Sequence, residues 1–376
     1  MNNGCNLAKG GKAVFKNLAR KLAASLLSVG LVAMVGVAQA AADPLKVAFV
    51  YIGPIGDAGW TYSHDLGRKA MEKALGADVE TVFVENVPEG PESQRVFEDL
   101  ARRGNQLIFG TSFGYMDQMV AAAERYPDVK FMNATGFKTG PNLGTYMIMA
   151  DQARYLEGMV AASASKKGEI GFVAAFPIPE VLRHINSFTL GARSVNPNVT
   201  VRVVWTSTWY DPNIERQAAE SLVAAGVDVL AQYQDTPATG QVAQEAGIKW
   251  TGFNADMSSF APKAWLTGTV WNWGHIYIDV AKAVRDGTWK PDPIYGYMKD
   301  DTTGLAPYGD SVPQDVRDRV DAKRKDIESG AFAPFTGPIK DQDGKEILAA
   351  GQVASLQQLL EMNYFVEGVL GAANGK

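Results

Sequence analysis

Cysteine is almost missing from this chain. The 376 residues hold one, Cys5. It stands ahead of the apolar run at 22–37, so it cannot be a lipid-bearing cysteine at a cleavage site behind that run. Beyond residue 42 there is no thiol, which excludes disulfides, thiolate metal sites and Cys/His nucleophiles there. Histidine is scarce too. His64, His184 and His275 are the three, none in H-x-x-x-H spacing, so a histidine metal centre has no ligand set. We expect them to be surface or helix-packing residues. The sequence has no P-loop. Gly53, Gly56 and Gly59 lack the G-x-G-x-x-G spacing of a dinucleotide site. The aspartate cluster that a calcium-dependent nucleoside hydrolase needs is missing near the first strand, where Asp57 stands alone. We therefore expect no metal, no cofactor and no catalytic group. Excess positive charge is also missing. The formal net charge is −5, which disfavours nucleic acid or an anionic membrane as partner.

Long apolar runs are confined to one place. Lys9, Lys12, Lys16, Arg20 and Lys21 precede the run at 22–37, and Ala38-Gln39-Ala40 follows it. A basic segment, an apolar core and an A-x-A site describe a secretory signal peptide. We expect cleavage near residues 40–42 and a periplasmic protein that is not lipid-anchored. Residues 1–40 carry five Lys/Arg and no Asp/Glu, so the remainder is more acidic than the whole.

Strand and helix signals alternate beyond residue 43. Leu45-Lys46-Val47-Ala48-Phe49-Val50 reads as a buried strand. A Gly/Pro turn through Asp57 and Trp60 follows, then a helix at 62–75 with Leu66, Ala70, Ala74 and Leu75 at helical spacing. Further strands are predicted at 79–84, 106–109 and 129–132, with helices at 92–103 and 115–126. The pattern restarts with a helix at 152–166 and strands at 169–174, 199–206, 227–231 and 248–253. Repeated β-α units imply parallel sheets. We read two α/β lobes of about 110–120 residues each, a typical domain size, with a cleft between them. The first is expected at 43–150 plus 274–300, the second at 151–273 plus part of 301–376. Residues 340–345 read as a hairpin tip rather than a calcium loop, because no glutamate closes it.

Ligands of open α/β sheets sit at the carboxyl ends of strands. The groups placed there are Asp57 with Trp60, Phe113, Thr135, Trp209 with Tyr210, Asn254 with Asp256, and Trp271 with Asn272 and Trp273. Tryptophan offers flat apolar area at low entropic cost. Two such plates can sandwich a planar heterocycle, whose ring-edge N–H groups Asp or Asn can pair. That suits a nucleobase or nucleoside better than a free sugar or an amino acid.

Gly56-Asp57-Ala58-Gly59-Trp60, Gly110-Thr111-Ser112-Phe113-Gly114, Tyr155-Leu156-Glu157-Gly158, Gly252-Phe253-Asn254-Ala255-Asp256 and Thr336-Gly337-Pro338-Ile339-Lys340-Asp341 occur in a recognisable order. Together they resemble the basic membrane protein (BMP) family, the purine-nucleoside-receptor-like solute-binding proteins of ABC importers. The resemblance covers the chain beyond the leader. It implies a type I periplasmic binding protein fold, with two Rossmann-like lobes joined by a hinge of three crossovers. It implies a monomer that works with an inner-membrane ABC permease. It also implies that Trp60 and Trp209 are the stacking positions, that a paired acidic motif falls on Asn254 and Asp256, and that an acidic position falls on Thr135. A lysine that suits ribose hydroxyls in nucleoside-binding members is replaced by Trp271, which points to a free purine base such as adenine before a nucleoside. A nucleoside hydrolase or deaminase and a ligand sensor are the competing readings.

Overall fold

The computed structural model describes residues 43–375. The expected leader at 1–42 lies outside the described residues. Apolar runs bounded by Gly and Pro form the first five strands: β1 Leu45–Val50, β2 Val79–Val84, β3 Leu107–Gly110, β4 Lys130–Ala134 and β5 Leu143–Ile148. All pair in parallel, in the order β5-β4-β3-β1-β2. Helices α1 Trp60–Leu75, α2 Pro91–Arg102 and α3 Met116–Arg125 are the crossovers. β3 and β5 are buried along their whole length, as sheets covered on both faces require.

The second series repeats the first. β6 Glu169–Ala174, β7 Thr200–Trp205, β8 Val229–Tyr233, β9 Lys249–Asn254 and β10 Trp265–Trp271 pair in parallel in the order β10-β9-β8-β6-β7, the same permutation. Its helices are α4 Asp151–Ala164, α5 Pro179–Val195, α6 Pro212–Ala224 and α7 Ala238–Glu245. The chain then returns to the first sheet. Helix α8 Gly274–Arg285 packs on α1, and β11 Ile294–Gly296 joins β5 in parallel. It goes back again as β12 Thr303–Leu305, antiparallel to β10. Helix α9 Gln314–Glu328 packs on α4. The expected hairpin is β13 Ile339–Lys340 with β14 Glu346–Leu348, its tip held by Asp341 accepting from the Asp343 and Lys345 N–H groups. Helix α10 Leu356–Leu360 and β15 Val369–Leu370, parallel to β7, complete the described chain. The chain crosses between the sheets three times, at 148–151, 271–274 and 296–303. Among the described residues no helix is long and apolar enough to cross a membrane.

Helix α1 differs from its expected face. Leu66 is exposed at 44%, while Thr61, His64, Gly67, Arg68 and Met71 are buried. The cause is α8. A Cβ on Gly67 would stand 2.7 Å from the Trp273 Cβ, so the helices meet there at glycine distance. His64 stacks on Trp273 at 4.3 Å between ring centroids and hydrogen-bonds the Tyr277 hydroxyl. His184 is also fully buried, and His275 is exposed.

Candidate ligand cleft

The carboxyl ends of both sheets enclose a narrow cavity. Ile52 after β1, Trp60 at the start of α1, Ser112 and Phe113 after β3, and Thr135 after β4 form its wall on the first lobe. Ile178 and Glu180 at the start of α5, Trp209 after β7, and Tyr233 and Asp235 at the end of β8 form the wall on the second.

The two indoles that bound the cavity are held differently. The Trp60 indole N–H donates to the Thr111 carbonyl oxygen at 2.6 Å. Its ring stands edge-on to Trp271 and Trp273, at 5.7 and 5.4 Å between centroids. Trp271 and Trp273 are themselves stacked at 5.2 Å. Trp60 therefore projects from a rigid aromatic block. Trp209 has one ring neighbour among the described residues, Phe176 at 4.8 Å, and remains half-buried.

Asp57 does not line the cavity. Its carboxylate accepts from the Gly59, Thr61 and Tyr62 N–H groups at 2.7–2.9 Å. These are donors that a helix start leaves unpaired. Burial pushes its pKa up to about 6 against those three bonds. Asn254 and Trp271 also stand behind the wall. The Trp271 indole N–H donates to Asn254 Oδ1 at 2.7 Å, and Asn254 Nδ2 donates to Asp235 Oδ1 at 3.0 Å. The side chains thus form a chain that ends on a carboxylate facing the cavity. Burial, then the charges of Asp57 and Glu215, push Asp235 well above the usual carboxylate range, while N–H groups of Asn254 and Trp60 oppose the shift. Asp256 is exposed and accepts from the Ser258 N–H. So Trp60, Phe113, Thr135 and Trp209 come together on the cavity wall, Asp57, Asn254 and Trp271 support it, and Asp256 faces solvent.

Sequence reasoning missed Asp235, Tyr233 and Glu180. The strand predicted at 227–231 continues to Tyr233, so Asp235 obeys the strand-end rule that a correct boundary would have applied. Glu180 comes from a helix start, which that rule ignores. It is buried at 6%, and its Oε1 has no hydrogen-bond partner. Burial raises its pKa, while the Arg183 charge and the Tyr233 hydroxyl oppose the rise. Arg183 is itself committed to Asp151 at 3.3 Å and to the Leu359 carbonyl oxygen at 3.0 Å. Beyond Phe113, Thr135, Ile178 and Glu180 lies a wider open chamber of about 670 Å³. Among the described residues no group of His, Cys, Asp and Glu could hold a metal ion.

Residues 45–336 match the model of the PnrA-like ABC transporter substrate-binding proteins, the Bmp family. The chain belongs to this family. Its members bind a ligand outside the cytoplasm and work with a membrane permease. A purine-binding protein of Brucella abortus is 50% identical over 89% of this chain and 96% of its own. A putative ABC transporter glucose-binding protein of Haloferax volcanii is 39% identical over 88% of this chain and 81% of its own. A solute-binding protein of Conexibacter woesei shares the fold at TM-score 0.63 and 23% identity, over 77% of this chain and 98% of that one. The Bmp-family chain thus has the type I periplasmic binding protein fold that its two repeated sheets and three crossings describe.

Proposed function

We propose that this substrate-binding protein carries a free purine base between its lobes and delivers it unchanged to an ABC permease. The observation that carries the reading is the pair of indoles, Trp60 and Trp209, bounding one cavity from opposite lobes, with Asp235 and Glu180 on the same wall as Trp209. Stacking supplies area, and the carboxylates take ring-edge N–H groups. Phe113 and Thr135 complete the contact. Asp57, Asn254 and Trp271 act through the helix start and Asp235 rather than on the ligand. The Brucella relative's name supports the same ligand class. Trp271 in place of a sugar-holding lysine favours a base over a nucleoside. The protein is a periplasmic monomer released by cleavage of its leader. Its moving bodies are 43–150 with 274–300, and 151–273 with part of 301–376. They rotate about the three crossings, and ligand bound between them favours the closed state.

Calorimetry against adenine, hypoxanthine, guanine, adenosine, guanosine and glucose tests this. Tight binding of a base is the expected result. Tight binding of glucose or of adenosine with no base binding would overturn it.

A further inference from the structure

We infer that Glu180 accepts an N–H from the exocyclic amine of an aminopurine, and that the second position on that amine faces the outer chamber and can carry a substituent. The inference rests on the purine reading and narrows its ligand class. Glu180 is buried, its Oε1 has no partner, and it lines both chambers. It is therefore the acceptor at the doorway between them. A buried acceptor without a donor is costly, so a ligand that brings one N–H there gains more than it would at an exposed group.

The neighbouring groups cannot take over this role. The Tyr233 hydroxyl already engages Glu180. Arg183 pairs with Asp151, donates to the Leu359 carbonyl oxygen, and lines the outer chamber rather than the inner cavity where the ring would stack. Asp235 accepts from Asn254 Nδ2 and lines the inner cavity but not the outer chamber, so it can serve a ring-edge N–H but not an amine at the doorway. The Thr135 hydroxyl can turn as donor or acceptor and does not discriminate. A carboxylate has acceptor lone pairs only, so Glu180 rewards an amine. A primary amine has two N–H groups, of which Oε1 needs one. The other points through the doorway, where Phe137, Met147, Ile178 and Leu356 line the wider chamber. An apolar substituent on the amine has room and matching surface there.

The test is a cycle that removes the acceptor from the protein and the donor from the ligand. Calorimetry measures adenine, unsubstituted purine, N6-methyladenine and N6,N6-dimethyladenine with the wild-type protein and with Glu180→Leu. In the wild type, adenine should bind about 10- to 100-fold tighter than purine, the range of one hydrogen bond to a charged group. N6-Methyladenine should stay near adenine, and the dimethyl compound should fall to the level of purine. In Glu180→Leu the adenine advantage should shrink to about threefold or less. An adenine-to-purine ratio unchanged by the substitution, or dimethyladenine equal to adenine, would overturn the role of Glu180 and leave purine binding standing. Loss of affinity on the first methyl would overturn the doorway. If no purine binds the wild type, the purine reading itself fails. Should Glu180→Leu not fold, the wild-type ligand series decides alone.

Discussion

Gly59 and Asp235 meet across the cleft: a Cβ built on Gly59 would stand 2.1 Å from the Asp235 backbone carbonyl oxygen. One residue opens α1 on the first lobe, and the other follows β8 on the second. No side chain fits between the two, so the contact requires glycine. Gly59→Ala should therefore obstruct closure. We expect ligand affinity to fall about tenfold or more, equivalent to ~1.4 kcal/mol, with the ligand-free melting temperature nearly unchanged. Small-angle scattering should show the variant failing to contract on adding ligand. Full contraction with unaltered affinity would refute the contact's role.

The two indoles should separate in their side effects. Trp60→Ala and Trp209→Ala should each weaken binding by roughly 2–4 kcal/mol, as truncated aromatic hot spots do. Trp60 is locked to Thr111, Trp271 and Trp273, so its loss should also lower the melting temperature. Trp209 packs on Phe176, so its loss should leave folding nearly intact. Calorimetry and thermal melts on the same preparations check both statements.

Asn254 and Asp256 stand two residues apart and should differ sharply. Asn254→Ala removes the bonds to Trp271 and Asp235 inside the protein, a loss of about 1–3 kcal/mol of stability, and should weaken binding through Asp235. Asp256→Ala touches an exposed side chain and should change neither within about 0.5 kcal/mol. Urea titration with parallel calorimetry separates the two. A ligand-affinity loss in the Asp256 variant would return that residue to the site.

Glu215 supplies the pH test. Burial pushes its pKa up to about 7, against hydrogen bonds from Thr236 and the Asp211 N–H. A raised acid binds more protons folded than unfolded, so its stabilising share is complete below its unfolded value near 4.5 and is lost as pH rises through about 7. His64 and His184 act in the opposite direction. Burial lowers both well below the usual 6.5, so their share is lost as pH falls below that value. The difference between wild type and Glu215→Gln isolates the acid. The wild type should be favoured at pH 5, and that advantage should shrink by about 1–3 kcal/mol by pH 8. A difference that is flat across this range would contradict the shift.

The architecture was legible because each lobe repeats strand, turn and helix, and a parallel sheet needs that alternation. Trp60, Phe113, Thr135 and Trp209 were legible because loops at strand ends meet in the cleft. The same rule cannot say which way a side chain turns. Asp57 looked like a ligand group, yet the nearest unpaired donors are the N–H groups of its own helix. Trp271 looked like a plate, but Trp273 and Asn254 take its face and its N–H. The burial of α1 was hidden for a different reason. Its packed face carries Gly67 and His64, and it depends on a partner helix some 200 residues later. Apolar spacing within one helix cannot report a partner so distant.

The inner cavity has acids at Asp235 and Glu180 and, among the described residues that line it, no lysine or arginine. On the proposed reading, a nucleotide entering with its phosphate would find no counter-charge there. Such a carrier would draw on bases already released from their phosphates.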